Sequence, residues 1–557
     1  MKILLVGINS KFIHSNLAIR YLKAYSKDLN YDCMIKEFSI NDRIENVLEG
    51  IIEEKAEVIA FSCYIWNMEF INKLAVLIKL INPKLEILYG GPEVSYGAKE
   101  YLESHPGEYL IEGEGEVTFR EFVEYKLGNK NLNDIDGIYY KVNNEVLFNK
   151  KRKDMDINDL VFPYEENEDI ENKIVYYEAS RGCPVKCSYC LSSVMHGVRF
   201  LDIDRVKKEL TYFMKKEIPL VKFVDRTFNC NKNFTRGLLE FLIEQDTKTR
   251  FHFEIAADIL TDEEIELLNK APKGRFQLEI GVQTSNIEVL HNINRVITFE
   301  NLKDKVLRIA KNGNVMQHLD LIAGLPGENM KSFKKSFNDV HSLNPDEIQL
   351  GFLKLLKGSS MRLDAEKWGI VYSPYAPYEI IRSNDISYEE LLMLKKVEHI
   401  TDKYYNSGRF KNSLKLILEE YTSPFDLYYD LANYFIEKGY FKRSLSNLDY
   451  YNAYYSFFKN KIKVEDLILF EELLKYDYLN YNNKKWVPEF LFRDITKEEE
   501  RSIREVAKEK FNISNLKKYH IEKFRINILE YLNKDEYLLE NTYIIYDENN
   551  NLTTLYI

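Results

Sequence analysis

The sequence predicts an α/β chain of three parts: a doubly wound parallel-sheet domain, a second region of alternating strands and helices, and a mainly α-helical C-terminal domain. Three observations predict it. Short β-rich runs alternate with amphipathic stretches from Lys2 to about Glu124, and the alternation resumes at Lys173 and stops near Pro377. Beyond Pro377, aromatic and apolar residues recur at helical spacing.

At 557 residues the chain exceeds one domain, since domains run to roughly 150 residues. Its 45% apolar and 30% charged residues, with only 13 prolines and 23 glycines, exclude collagenous, mucin-like and globally disordered classes. A net charge of -11 denies the chain the basic field behind non-specific nucleic-acid binding, so nucleic acid is not a favoured partner. Lys151-Arg152-Lys153 reads as a solvated linker. The apolar run from Met1 to Gly7 is too short for a secretory core and has no small-residue cleavage site after it, so it reads as a first core strand. No window approaches the roughly 18 apolar residues of a membrane span, and a cytoplasmic location without membrane contact is expected. Six cysteines make no disulfide framework, yet three fall within eight residues.

Five strands are placed in the first domain: Lys2 to Ile8, Asp32 to Ile40, Glu57 to Ile65, Leu85 to Gly90 and Glu108 to Glu112. Ligands of such sheets sit beyond the carboxyl ends of the strands. There the chain reads Ser62-Cys63-Tyr64 after the third strand and Gly90-Gly91-Pro92-Glu93 after the fourth. Small residues let a large flat ligand approach the backbone. On these residues the segment resembles the flavodoxin-like cobalamin-binding domain family, with its Ser after the third strand and Gly-Gly after the fourth. That resemblance implies cobalamin contacts at Ser62, Gly90 and Gly91. The family's Asp-x-His-x-x-Gly loop has no counterpart, because Phe12 stands two before His14 and Leu17 three after it. The expectation is cobalamin held without a histidine beneath the cobalt, as in the cobalamin-dependent radical SAM proteins that this domain resembles. The bland alternative is a scaffold that binds nothing. The glycines of Ile111 to Glu116 serve a tight turn first and ligand approach second.

Residues 131–170 read as a hairpin around Asn143-Asn144 followed by a linker. A strand from Lys173 to Ala179 then leads into Ser180-Arg181-Gly182-Cys183-Pro184-Val185-Lys186-Cys187-Ser188-Tyr189-Cys190. Three thiolates this close can wrap one face of a metal centre. Iron-sulfur cubanes normally take four, so three leave one iron open to a substrate or cofactor. The C-x3-C-x2-C spacing with an aromatic before the last cysteine closely resembles the radical S-adenosylmethionine (SAM) superfamily. The resemblance implies that Cys183, Cys187 and Cys190 hold a 4Fe-4S cluster whose open iron binds SAM, with Tyr189 near the cluster or the adenine. Zinc with His196 as a fourth ligand is the rival chemistry, although the spacing matches no common zinc signature.

Strands follow at Val221 to Asp225, Phe251 to Ala256, Phe276 to Val282, Gln317 to Ile322 and Glu347 to Leu353. Functional residues of a β/α barrel gather at the carboxyl ends of its strands. Those ends offer Asp225-Arg226, Glu254, Glu279 with Gln283, Asp320, and Gly324-Leu325-Pro326-Gly327-Glu328. By resemblance to radical SAM barrels, Asp225 would meet the SAM amino group, where the family commonly has Gly-Gly-Glu. Glu254 would reach the ribose hydroxyls, Gln283 the same region, and the loop from Gly324 the adenine or methionine end. Each carboxylate also has a bland role, capping a helix or pairing with Arg226 or Arg295.

In the C-terminal third, Tyr404-Tyr405, Tyr428-Tyr429, Tyr450-Tyr451 and Tyr454-Tyr455 read as core, with a base-stacking platform as the alternative. A final hairpin, Thr542 to Asp547 and Leu552 to Ile557, flanks Glu548-Asn549-Asn550-Asn551. The expected organisation is a cobalamin-binding-like domain over 1–130, hairpin and linker over 131–170, a radical SAM partial (β/α) barrel over 171–377 and an aromatic helical domain over 378–557.

The resemblances together imply an enzyme that cleaves SAM to a 5'-deoxyadenosyl radical and, with cobalamin, methylates an unactivated carbon of an unspecified substrate. It would draw electrons from a reductant such as flavodoxin or ferredoxin. The alternatives are a cobalamin-free radical SAM enzyme performing oxidation, rearrangement or cyclisation, and a non-catalytic metal-stabilised binding protein.

Overall fold

The computed structural model describes residues 1–166, 168, 170, 173–194, 197–482, 487–491, 494–511, 519–534, 536, 538–546 and 552–556. It divides into two compact units, one of residues 1–336, 343–345 and 350–388, the other of residues 337–342, 346–349 and 389–557.

The first unit begins with a parallel sheet of β1 (Lys2–Asn9), β2 (Asp32–Ser39), β3 (Val58–Ser62), β4 (Glu86–Gly90) and β5 (Tyr109–Ile111), in the order 2-1-3-4-5. This is the doubly wound, flavodoxin-like order. Successive side chains of a strand face opposite ways, and both faces are apolar here. Val6, Ile8, Ile59 and Phe61 join one core, while Ile3, Leu5, Val58 and Ala60 join the other. Helices on both faces require that, because a parallel sheet is covered on both sides.

The hairpin of the linker region forms, as β6 (Ile138–Val142) and β7 (Glu145–Phe148), and Asn143 and Asn144 both take positive φ at its turn. Beyond the sequence expectation, β6 pairs antiparallel with β5, so the sheet has seven strands. An uncovered edge at buried β5 would leave backbone donors and acceptors unpaired, and the hairpin removes that edge.

A second sheet runs β15-β14-β13-β12-β11-β8. Its strands are β8 (Val175–Tyr177), β11 (Leu220–Phe223), β12 (Arg250–Ile255), β13 (Phe276–Gln283), β14 (Met316–Ala323) and β15 (Glu347–Phe352). Six strands ordered by sequence, with helices between them, form the open barrel that the alternation predicts. A short antiparallel pair, β9 (Ser180–Gly182) and β10 (Val198–Phe200), was not foreseen. Two short strands, β16 (Val371–Tyr372) and β17 (Ile380–Arg382), close this part of the chain.

The second unit is helical, with helices such as Pro424–Glu437, Asn447–Phe458 and Leu467–Tyr481. One tyrosine of each doublet, Tyr404, Tyr428, Tyr451 and Tyr454, is fully buried, which is the core reading. Buried rings have no face left for a base. The terminal hairpin, β19 (Thr542–Tyr546) and β20 (Leu552–Tyr556), is joined by an unforeseen strand, β18 (His520–Phe524). The 548–551 turn lies outside the described residues. Helix Leu467–Tyr481 is buried through residues 469–479, and its Lys475 is tolerated because Glu472 stands 2.8 Å away and the Lys523 carbonyl accepts a hydrogen bond. Among the described residues no helix is long and apolar enough to cross a membrane.

Candidate functional site

The cysteine loop is the excursion between β9 and β10. Gly182, paired with Val198, has φ +110, and a Cβ there would lie 2.1 Å from the Gly197 carbonyl oxygen. Only glycine permits that approach, so the residue before Cys183 is set by the hairpin. From the side of β13 and the helix after it, the Ser188 N–H donates to the Ile293 carbonyl at 2.9 Å and Asn294 Nδ2 to the Lys186 carbonyl at 2.8 Å. Cys183 Sγ lies 3.2 Å from Thr227 Oγ1. Cys187 is buried, with its thiol pushed up by burial against the opposing charge of Arg295, whose Nη1 is 3.8 Å from Sγ. Burial, and then Cys187, raises the Tyr189 phenol. Cys230, absent from the sequence argument, lies close enough to Cys183 for that thiol to add to the burial that pushes Cys230 up to about 11.

Among the described residues no three His, Cys, Asp or Glu side chains converge on a single metal ion. His196, the proposed fourth zinc ligand, lies outside the described residues.

Beside this loop, β13 ends in a bulge. The register to β14 shifts between Gly281 and Gln283, and Gln283 has φ +70. A bulge re-aims side chains, and here the Gln283 amide folds back over Gly281. A Cβ on Gly281 would meet Gln283 Nε2 at 2.3 Å and Arg295 Nη2 at 3.4 Å. Arg295 Nη2 also donates to the Gly281 carbonyl at 2.5 Å. Asp320 is the register partner of Gly281 on β14. Around this point Arg295 Nε, Gln283 Oε1, Asp320 Oδ1 and Asp258 Oδ1 are all sealed from solvent without a hydrogen-bond partner. Buried polar atoms are normally paired, so four orphans beside three cysteines mark a site shaped for a polar ligand. Burial, reinforced by Glu279 and Glu254, pushes the Asp320 carboxyl up.

The other sequence candidates fall at varied places. Asp225 is buried, and its oxygens accept from Ser180 Oγ at 2.5 Å and Ala179 N–H at 3.0 Å. Burial pushes it up to about 7 despite those donors. Glu254 has Arg226 Nη1 at 4.0 Å and is raised by burial. Glu279 contacts Lys222 at 3.2 Å and His252 at 2.9 Å. Burial would raise its carboxyl, but those two partners hold it down to about 2. Gly324 has φ +87, and the loop it opens is packed by Asn292 Nδ2 on the Pro326 carbonyl and by Asp385 on Gly327 N–H. Glu328 is fully buried, accepting from Thr284 and Ser336 hydroxyls. Sequence reasoning treated Arg295 only as an ion-pair partner. It lies in a turn after helix Ile287–Asn292, where nothing local distinguishes it.

At the first sheet, Ser62 Oγ accepts from Asn16 Nδ2 at 2.7 Å, and Gly91 has φ +122 with a Cβ position 2.5 Å from the Cys63 carbonyl oxygen. Gly90 is open: its Cβ would touch only Ile111, at 3.8 Å, and Gly113 meets nothing within 4 Å. Tyr64 stacks on Trp66 at 4.4 Å and 6°, and Trp66, Phe12 and Ile13 are exposed in the loops at this edge. His14 Nδ1 is 2.7 Å from the Tyr176 hydroxyl of β8, and its backbone bridges Ile174.

Comparisons with known proteins match these parts. Residues 3–123 match the model of the B12 binding domain, 177–340 that of the radical SAM superfamily, and 366–546 a protein family of unknown function, DUF4080. The cobalamin-dependent radical SAM methyltransferase TokK of Streptomyces tokunonensis is 24% identical over 360 residues, 60% of this chain and 52% of TokK. The 2-(S-pantetheinyl)-carbapenam-3-carboxylate methyltransferase of Streptantibioticus cattleyicolor is 24% identical over 374 residues, 61% of this chain and 53% of that protein. The chain thus spans about half the length of these curated relatives. Among solved structures, the cobalamin-dependent SAM radical enzyme OxsB superposes with a TM-score of 0.58 at 14% identity, covering 92% of this chain and 81% of OxsB. The radical SAM methyltransferase TsrM of Kitasatospora setae gives 0.55 at 14%, covering 68% and 79%. These likenesses show a shared fold.

Proposed function

We propose that this chain, which matches the radical SAM superfamily model over residues 177–340 and the B12 binding domain model over 3–123, is a cobalamin-dependent radical SAM methyltransferase. The observation that carries the reading is the set of orphaned polar atoms on Arg295, Gln283, Asp320 and Asp258 beside the loop of Cys183, Cys187 and Cys190. Three thiolates suit a 4Fe-4S cluster with one open iron, and a guanidinium with carboxyl and amide groups suits the methionine end of SAM. When bound, the cluster and SAM supply a 5'-deoxyadenosyl radical that removes hydrogen from carbon, and cobalamin supplies the methyl group.

The chain's own residues bind and orient. Arg295 holds the SAM carboxylate and lowers the cost of negative charge on Cys187. Glu254 keeps lone pairs for the ribose hydroxyls. We assign Asp225 to positioning, because both its oxygens already hold the strand that leads into the cysteine loop. At the first sheet, open Gly90 and the exposed Trp66 and Phe12 suit a large flat ligand such as a corrin, with Ser62 beside them. The substrate is a small molecule or polymer offering an unactivated carbon, and a flavodoxin or ferredoxin is the proposed electron donor.

The test is anaerobic reconstitution with iron, sulfide and hydroxocobalamin, followed by metal analysis and incubation with SAM and a reductant. Near four irons and one cobalt per chain with release of 5'-deoxyadenosine supports the reading. Zinc retained in place of iron, with SAM intact, overturns it.

A further inference from the structure

The segment that follows β15 touches both loops to which cofactors are assigned above, and the argument here rests on that assignment. At one end, Lys357 Nζ lies 2.9 Å from Glu93 Oε1 and donates to the Glu93 carbonyl at 3.3 Å. Glu93 is buried, its carboxylate also accepts from the Tyr378 hydroxyl, and its N–H donates to the Cys63 carbonyl at 3.3 Å. Gly358 has φ +85, and a Cβ there would lie 2.3 Å from Tyr96 Cδ1. The segment is thus pressed onto the loop that begins Gly90-Gly91.

At the other end, the Ser188 carbonyl, between Cys187 and Cys190, accepts from Met361 N–H at 2.9 Å and from Ser360 Oγ at 3.1 Å. Met361 is buried, and Ser359 caps the short helix Ser360–Leu363 through Arg362 N–H. Lys357 and Met361 are four residues apart. At no more than about 3.6 Å per residue, their Cα atoms stay within roughly 14 Å. Neither loop can shift away from the other without breaking a contact to this segment.

We propose that Lys357–Met361 is a strap that sets the spacing of the Gly90-Gly91 loop from the cysteine loop, with Lys357 and Gly358 as positioning residues for transfer between the two cofactors. Group transfer is steep in distance, and a misplacement of about 1 Å can cost 100-fold. The strap's residues touch neither set of proposed ligands, so loosening it leaves both groups bound.

The test uses the full chain with Lys357→Met, the paired Glu93→Gln/Lys357→Met, and Lys357→Arg as the conservative control. The paired variant removes both charges, so it avoids stranding a buried carboxylate and keeps the test open if Lys357→Met fails to fold. Hydrogen exchange on the cofactor-free protein reads the strap directly. Iron and cobalt per chain, and the products from SAM with titanium(III) citrate, read its consequence. Transfer of the SAM methyl group to cobalamin that titanium(III) citrate has reduced to cob(I)alamin would leave S-adenosylhomocysteine, whereas one-electron cleavage of SAM would leave methionine and a radical that takes up a hydrogen atom to become 5'-deoxyadenosine.

The expected result is faster exchange over both 91–97 and 186–191, unchanged iron and cobalt, and a ratio of S-adenosylhomocysteine to 5'-deoxyadenosine lowered at least tenfold. Lys357→Arg should restore most of that ratio. Exchange that rises at 91–97 alone, or a ratio that stays level, overturns the strap. Wild-type protein that retains no cobalt overturns the cobalamin assignment itself and the strap's role with it, a failure recognisable before any variant is made.

Discussion

Arg295 faces Cys187 across 3.8 Å while its other terminal nitrogen is tied to the Gly281 carbonyl, so a single guanidinium bridges the cysteine loop and the bulged end of β13. Its Nε remains buried and unpaired. In the proposed site this cation would meet the SAM carboxylate. Arg295→Met should leave the iron content unchanged and weaken SAM binding by tenfold to a hundredfold, the loss of one charge-assisted hydrogen bond of about 1.5–3 kcal/mol. Calorimetric titration of reconstituted protein checks it, and unaltered affinity would remove Arg295 from the site.

Cys183, Cys187 and Cys190 are assigned as a set, so alanine at any one should abolish iron retention and SAM cleavage together. Cys230→Ala, despite its closeness to Cys183, should keep both. Iron analysis after anaerobic reconstitution separates the two cases, and a Cys187→Ala protein that still cleaves SAM would falsify the cluster assignment.

Gly90 and Gly91 are neighbours with different constraints. Gly91→Ala forces a side chain into positive φ and against the Cys63 carbonyl, and should cost about 3 kcal/mol in the cofactor-free protein. Gly90→Ala has room and should leave the melting temperature unchanged while lowering cobalt retention. Thermal melts with and without hydroxocobalamin decide this. An equal fall in apo-protein stability for both would mean that Gly90, too, serves only the fold.

Glu328 gives a pH-dependent test. Burial pushes its carboxyl up to about 7 against the hydroxyls of Thr284 and Ser336, whereas an unfolded glutamate titrates near about 4.3. The folded state therefore binds the proton more tightly. Its contribution to stability is full below about pH 4.3 and is lost as pH rises through about 7. Glu328→Gln keeps an oxygen for both hydroxyls, so its stability should be nearly that of wild type at pH 5 and higher by up to ~3 kcal/mol at pH 8, where it reads as a raised melting temperature. A shift of the same size at both pH values would take titration out of the account.

Much of the molecule is written locally. The C-x3-C-x2-C spacing, the alternation of β-rich and amphipathic runs, the serine that ends β3 and the glycine pair that ends β4 are patterns among residues near one another in the chain, and pleat and helix turn convert them directly into structure. The tyrosine doublets were legible for the same reason: in Tyr428-Tyr429, helical geometry buries the first ring and leaves the second partly accessible.

Other features have no local signature. The pairing of β6 with β5, the third strand β18, the placement of Arg295 over Gly281, and the orphaned oxygens of Gln283 and Asp320 arise only when distant segments pack. Asp225 illustrates the difference. Its position at a strand end was readable, but the commitment of its oxygens to Ala179 and Ser180 was decided by neighbouring strands. By itself the sequence determined the cysteine set, the order of strands and helices, and hence the kinds of cofactor that the chain can hold. Tertiary structure alone decided which polar groups stay unpaired and which residues link the two loops, because Lys357 meets Glu93 across 264 residues of chain, and such a contact depends on packing that short-range patterns do not encode.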